Sequence, residues 1–360
     1  MSDFLTELRR EVVGAHGAHA RRRRRSAPAR RLRAWRPATI LGAAAAAALL
    51  VAVVLVVRSL EAPEPTREPR VIKVLRIGGI PVDGVLAGGA LWVSDSSRSE
   101  VVRIDPDTRR VAARIPMSGN VRDIAAGEGG LWVRISGKRG MDDGRLVRID
   151  PRSNRVADVV VTGPGDTLAV GGGALWIDRR HRSPLGLERI DAGTGAVTRK
   201  PALRDTDAIS VANGVAWVLL QNGRVLRLDA ADGRMLSGAS KLAETPATAD
   251  ASDTIAADAA GVWILRTGEG AVFRFEGERM TRRLAIDTSA QLALAVTRGG
   301  LWVAAGDELR GRFRAVRIDP ASGKETASVD LGEHRPQALV PVPGGLWAVC
   351  GDGTAVLIDT

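Results

Sequence analysis

Gly129-Gly130-Leu131-Trp132-Val133, followed by Val147-Arg148-Ile149-Asp150-Pro151, decides the fold because both halves recur along the chain. The Trp context returns as Leu91-Trp92-Val93, Leu175-Trp176-Ile177, Ala216-Trp217-Val218, Val262-Trp263-Ile264, Leu301-Trp302-Val303 and Leu346-Trp347-Ala348, at spacings of 39 to 46 residues. The second half returns 10 to 16 residues after each Trp, as Arg103-Ile104-Asp105-Pro106, Arg189-Ile190-Asp191, Arg227-Leu228-Asp229, Arg274-Phe275-Glu276, Arg317-Ile318-Asp319-Pro320 and Leu357-Ile358-Asp359. Turn residues such as Ala231-Asp232-Gly233 and then a further short apolar run follow each one. An inner strand such as Asp123–Ala126 precedes each Trp strand, giving four strands per unit.

Four antiparallel strands in about 40–45 residues make a propeller blade. The sequence therefore predicts an all-β, seven-bladed β-propeller over residues 70–360. The last unit stops at Asp359-Thr360 without an outer strand, while Arg70–Ile77 reads as an outer strand with no blade of its own. Residues 70–77 are thus expected to close blade seven, removing the free edge of the ring.

Ahead of the propeller, residues 1–37 hold 11 arginines against Asp3, Glu7 and Glu11, whereas the rest of the chain is nearly balanced. The net charge of +11 therefore belongs mostly to a short tail, and a basic groove for nucleic acid across the fold is not indicated. From Pro37 to Val57 the chain carries no charge, and about 20 such residues in a helix span a bilayer. A single transmembrane α-helix over 38–57 is expected, in preference to a cleaved signal peptide, whose apolar run is shorter and ends in a small-x-small site. The arginine excess puts the tail in the cytoplasm and the propeller outside. Phe4, Leu5, Leu8, Val12 and Val13 share one helical face, which could dock a cytoplasmic partner or lie on lipid; a topogenic tail contacting anionic lipid is the plainer alternative. Residues 58–69 form a Pro-rich charged spacer. A single Cys and four His exclude disulfide scaffolds and Cys-rich zinc sites.

On a propeller most of the conspicuous residues become structural. The seven repeat tryptophans Trp92, Trp132, Trp176, Trp217, Trp263, Trp302 and Trp347 are expected to pack blade on blade. The repeated Asp should accept turn N–H groups, the Gly pairs before Trp should make hairpin turns, and Cys350 should be a small buried hydrophobe.

The unit Gly-Gly-Leu-Trp-Val, a loop, then Val-Arg-Ile-Asp-Pro-x-Ser/Thr-Gly-x-Val resembles the bacterial extracytoplasmic propellers of the streptogramin (virginiamycin B) lyase-like and YVTN-type superfamily. The resemblance spans about residues 70–360. It implies the fold, and for the lyases a funnel His acting as base beside acidic magnesium ligands. This chain departs from that pattern. No His stands at the inner-strand starts, and the positions four after each Trp (Ser96, Ser136, Arg180, Gln221, Thr267, Gly306 and Gly351) hold no Glu.

Propeller ligands usually enter where the inner strands open into the central channel. The residues starting those strands are Asp83, Arg122, Asp166, Asp207, Asp253, Leu292 and Gln337. Asp166, Asp207 and Asp253 sit on successive blades, so they could hold a divalent cation or a basic ligand, or each could cap its own loop. No other cofactor is implied. His334, beside Glu333, and His181, in Asp178-Arg179-Arg180-His181-Arg182, are candidate bases or plain loop residues. Two classes of function follow. One is a membrane-anchored extracytoplasmic binding module for a protein, peptide or envelope ligand; the other is a lyase-like metal-dependent enzyme with a funnel acidic site. The first is favoured, because a scaffold is evident and a catalytic constellation is not. Insertions at Ser136–Gly144 and Asp307–Arg314 are where a protein partner is expected to touch.

Overall fold

A computed structural model of the chain describes residues 68–360 except 137–143, 162–166, 180–185, 200, 202, 204–205, 242–252, 259–260, 267–268 and 287–289, with backbone alone described at 157–161, 179, 237–241 and 290–292. The chain divides into two units, Met1–Thr66 and Arg67–Thr360. The tail 1–37, the helix expected over 38–57 and most of the 58–69 linker lie outside the described residues. Among the described residues no helix is long and apolar enough to cross a membrane.

The second unit is a seven-bladed propeller of 28 strands in seven four-stranded antiparallel sheets. An outer strand, β1 (Arg70–Arg76), comes first. Blade one is β2 (Pro81–Ala87), β3 (Ala90–Asp95), β4 (Glu100–Asp105) and β5 (Arg110–Pro116). Blade two is β6 (Asn120–Gly127), β7 (Gly130–Ser136), β8 (Arg145–Ile149) and β9 (Val156–Val161). Blade three is β10 (Thr167–Gly171), β11 (Ala174–Arg179), β12 (Gly186–Asp191) and β13 (Val197–Arg199). Blade four is β14 (Thr206–Ala212), β15 (Val215–Leu220), β16 (Arg224–Asp229) and β17 (Met235–Lys241). Blade five is β18 (Thr254–Ala257), β19 (Val262–Arg266), β20 (Ala271–Glu276) and β21 (Arg279–Ala285). Blade six is β22 (Ala290–Thr297), β23 (Gly300–Asp307), β24 (Arg312–Ile318) and β25 (Glu325–Gly332). Blade seven joins β26 (Pro336–Val342), β27 (Gly345–Cys350) and β28 (Thr354–Asp359) to β1, in the order β1-β28-β27-β26. The first strands touch one another in succession from β2 to β26, and β26 touches β2, so the ring is closed around a central channel.

Each Trp strand is buried on both faces between neighbouring blades, which is why it reads as an unbroken apolar run. The outer strands lie at the periphery and bury alternate residues at most, as in β5. The core is a series of interblade clusters. Trp92 packs on Leu131, Val133 and Ile149 of blade two, and Trp302 on Leu346 and Ile358 of blade seven. Trp347 meets Leu91 and Ile104 of blade one, carrying the series across the closing seam. In six blades the Arg of the third strand lies directly opposite the Trp, its guanidinium 4.9–6.0 Å from the ring centroid. Leu357 takes that place in blade seven.

Strand direction alternates within each sheet, so the propeller has two faces of different make. Its mouth face carries the links from one blade's outer strand to the next blade's inner strand, and the hairpins between second and third strands. The turn face carries the remaining hairpins. There the Gly pairs depart by one residue from the sequence expectation. The turn is Gly88-Gly89 in blade one but Glu128-Gly129 in blade two, all four with positive φ, so Gly130 opens the Trp strand instead. Gly345 stands at the equivalent strand start, where a Cβ would sit 2.7 Å from the Ile358 carbonyl. Also on this face Asp105, Asp150, Asp191 and Asp319 each accept N–H and hydroxyl hydrogen bonds from the next two or three residues. These bonds hold the four carboxyls below their ordinary range.

Candidate functional site

The inner strands do not run regularly to the mouth face. Register breaks fall between Pro81 and Asp83, Val121 and Ile124, Thr206 and Ala208, Gln291 and Ala293, and Pro336 and Ala338. Each is a β-bulge, which leaves a residue out of the ladder and re-aims its side chain. The residues left out include Arg122 and Asp123 in blade two, Asp207 in blade four, Leu292 in blade six and Gln337 in blade seven. Apart from Asp123, these are the positions singled out from the sequence. They are the points at which the sheets stop dictating side-chain direction.

The best-defined group is at the seam of blades one and two. The Asp83 carboxylate accepts from its own blade at Gly84 N (2.7 Å) and from the next blade at Ile124 N (3.2 Å), the amide freed by the bulge. The Ser94 hydroxyl lies between the carbonyls of Asp83 (3.3 Å) and Arg122 (3.2 Å), again linking the two blades. Arg134 Nε donates to Asp123 at 2.9 Å. Burial, and then the Asp123 charge, push the Asp83 carboxyl from 3.8 to about 7, against its two backbone donors and Arg134. Arg122 is exposed beside this group. The mouth thus offers a cation, an ion pair and a carboxyl that changes charge near neutral pH. Asp123 was missed as a site residue because a bulge that sets two residues opposite one cannot be read from apolar alternation.

The remaining candidates are dispersed. Asp253 is not presented to the channel as an open carboxylate: it is buried against Arg266 Nε (3.1 Å), whose Nη1 also donates to Glu269 (2.7 Å). Gln337 lies over Gly351, where a Cβ would be 3.0 Å from its amide nitrogen. The Asp207 carbonyl lies 3.5 Å from the Thr167 hydroxyl of blade three. Asp166 and His181 lie outside the described residues, as do the side chain of Leu292 and most of the blade-two insertion. Among the described residues no three His, Cys, Asp or Glu side chains gather as metal ligands would.

His334 is paired with Asp352, not with its neighbour Glu333. Its Nδ1 lies 2.6 Å from Asp352 Oδ2 and 3.2 Å from Thr354 Oγ1, and the Thr354 hydroxyl donates to Asp352 Oδ1 at 2.6 Å. Burial opposes ionisation of Asp352, but Thr354 and His334 outweigh it and lower its pKa. The contact ties the link entering blade seven to the β27–β28 hairpin. Blade one does the same with Asp95, which accepts from Ile80 N, Ser97 N and Arg98 N, and blade five does so with Asp253 and Arg266. His334 therefore occupies a recurring clasp position. Cys350, beneath it, is buried, and desolvation followed by the Asp352 charge raises its thiol to about 12.

The fold defines a β-propeller with a polar group at a blade-one/blade-two bulge on its mouth face, a class in which binding and interaction modules are common. No family model and no curated protein matches the chain. Among solved structures it is similar to hydrazine synthase from Kuenenia stuttgartiensis, with a TM-score of 0.60 and 13% identity, covering 78% of this chain and 95% of that one. At that identity the likeness carries the architecture alone.

Proposed function

We propose that the protein is a membrane-anchored, extracytoplasmic binding module whose propeller captures a protein, peptide or envelope ligand at the mouth face. The observation that carries this reading is the set of inner-strand bulges, which puts Arg122, Asp123, Asp207 and Gln337 at one opening of the channel beside Asp83. A rigid ring with exchangeable polar residues at its mouth suits recognition. The uncharged run before Val57 supplies the anchor in this reading, and the arginine-rich tail its cytoplasmic flank. The lyase-like alternative has His334 as its best base, but that residue serves as a loop clasp and has no acidic metal-ligand set around it among the described residues.

The test is photo-crosslinking in intact cells from position 122 at the mouth and, as control, from position 109 on the turn face, combined with membrane fractionation of the full chain. Adducts from 122 alone, on a chain in the membrane fraction, support the reading. Equal adducts from both positions, or a chain released into the soluble fraction, would sink it.

A further inference from the structure

A groove of about 470 Å³ opens on the turn face between blades five and six, away from the channel mouth. Three arginines line it. Arg274 and Arg282 are direct cross-strand partners on β20 and β21, and Arg298 comes from the β22–β23 turn on the opposite wall. Like charges placed directly opposite on a sheet are destabilising unless something neutralises them. Blade five meets that need only in part. Asp258 takes Arg274 in a two-pronged pair, Nη1 to Oδ2 at 2.8 Å and Nη2 to Oδ1 at 2.9 Å. Glu276 also leans on Arg274, at 3.5 Å.

The third acid, Asp319, spends its oxygens on its own turn, accepting from Ala321 N, Ser322 N and Ser322 Oγ. Arg282 helps keep it ionised only through its field. Three positive and three negative groups thus balance formally, yet Asp258 and Asp319 are committed to other donors, and the exposed guanidiniums of Arg282 and Arg298 have no hydrogen bond among the described residues. Beneath them Trp263 lines the groove as a nearly buried floor. Two planar guanidinium forks facing one cavity suit a tetrahedral dianion, which each can meet with paired N–H donors.

We propose that this groove is an anion site that binds a phosphate group, held between Arg282 and Arg298. Free phosphate and the phosphate of a lipid headgroup share that chemistry. The site is independent of the channel mouth, so it stands or falls apart from the binding function assigned there.

The experiment uses the purified full chain and an Arg282→Gln/Arg298→Gln double variant, with an Arg282→Lys/Arg298→Lys variant that keeps charge but not the forks. Calorimetric titration with inorganic phosphate should show binding that weakens at least tenfold in the Gln variant and partly recovers in the Lys variant. Unchanged melting temperatures would show that the substitutions act on the site and not on folding. Vesicles of phosphatidylglycerol and of phosphatidylcholine then separate the sources. A wild-type preference over the Gln variant on phosphatidylglycerol identifies a headgroup, and phosphate binding without that preference identifies a free ion. Absence of phosphate binding, or equal binding by wild type and Gln variant, overturns the proposal.

Discussion

The guanidinium of Arg274 lies 4.9 Å from the centre of the Trp263 ring directly opposite it on the neighbouring strand. The same side chain holds Asp258 on the turn of the inner strand, so one residue ties the first three strands of blade five together. In blade four Arg227 stacks on Trp217 at 5.3 Å, with no carboxylate ion pair among the described residues. Replacing Arg by Met keeps the apolar stem and removes the charge. Arg227→Met should therefore cost roughly 1 kcal/mol, the worth of the ring contact, and Arg274→Met about 2–3 kcal/mol, because Asp258 loses its partner as well. Urea unfolding of the two variants tests this; equal losses would mean that the ion pair adds nothing.

Asp83 binds a proton more tightly in the fold, at about 7, than in the unfolded chain, at 3.8. Between those values the folded state holds the extra proton, so stability falls as pH rises through the window and the deficit is complete above about pH 7. Asp83→Asn keeps an acceptor for Ile124 N and cannot ionise. The variant should match wild type only near pH 3.5 and exceed it by roughly 2–4 kcal/mol at pH 8, with the gap opening between about pH 4 and 7. A gain of the same size at both pH values would show that this carboxyl does not titrate where the geometry puts it.

Asp105, Asp150, Asp191 and Asp319 are shifted the other way by their turns. Their contribution is present above the ordinary carboxylate value and is lost as pH falls through the lowered folded one. Replacing all four by Asn should lower the melting temperature at pH 7, where the ionised carboxyls contribute, and flatten its decline on acidification below about pH 4. A decline as steep as that of wild type would place acid sensitivity elsewhere.

At the closing seam, Ile77 N and Gly78 N both donate to the Gly353 carbonyl (2.9 and 2.8 Å), and the Ile77 carbonyl accepts from Arg98 (3.2 Å) and Arg114 (2.7 Å). Deleting residues 70–77 removes β1 and this knot together, whereas deleting 59–66 touches neither. The first deletion should abolish the cooperative melt of the whole ring and the second should leave it intact. A ring that melts normally without β1 would show that its pairing with β28 is dispensable.

Much of the architecture was written in seven tryptophans, because a strand buried on both faces needs an apolar run and the same interblade slot recurs every 40 or so residues. The Arg opposite six of the seven tryptophans was visible too, but its stacking was not, since spacing along the chain does not give cross-strand register. The site was less legible. Its key contact joins Asp83 to an amide 41 residues away in another blade, at a bulge whose one extra residue shifts the alternation. His334 shows the same limit: Glu333 is its neighbour in sequence, while Asp352 reaches it through a hairpin 18 residues on.

The pairing of Leu75 with Ala355 also sets an order of events during synthesis. At roughly 5–20 residues per second, the first strand of the ring emerges some 15–55 s before its hydrogen-bonding partner exists. Throughout that interval a seven-residue segment with apolar Val71, Ile72, Val74 and Leu75 is an unsatisfied edge open to other chains. Arg70, Lys73 and Arg76 are spaced along it, placing a cation within two residues of every apolar side chain. In the finished ring these three charges have little to do at the periphery; for the nascent chain they are gatekeepers that hold β1 in solution until the last hairpin arrives.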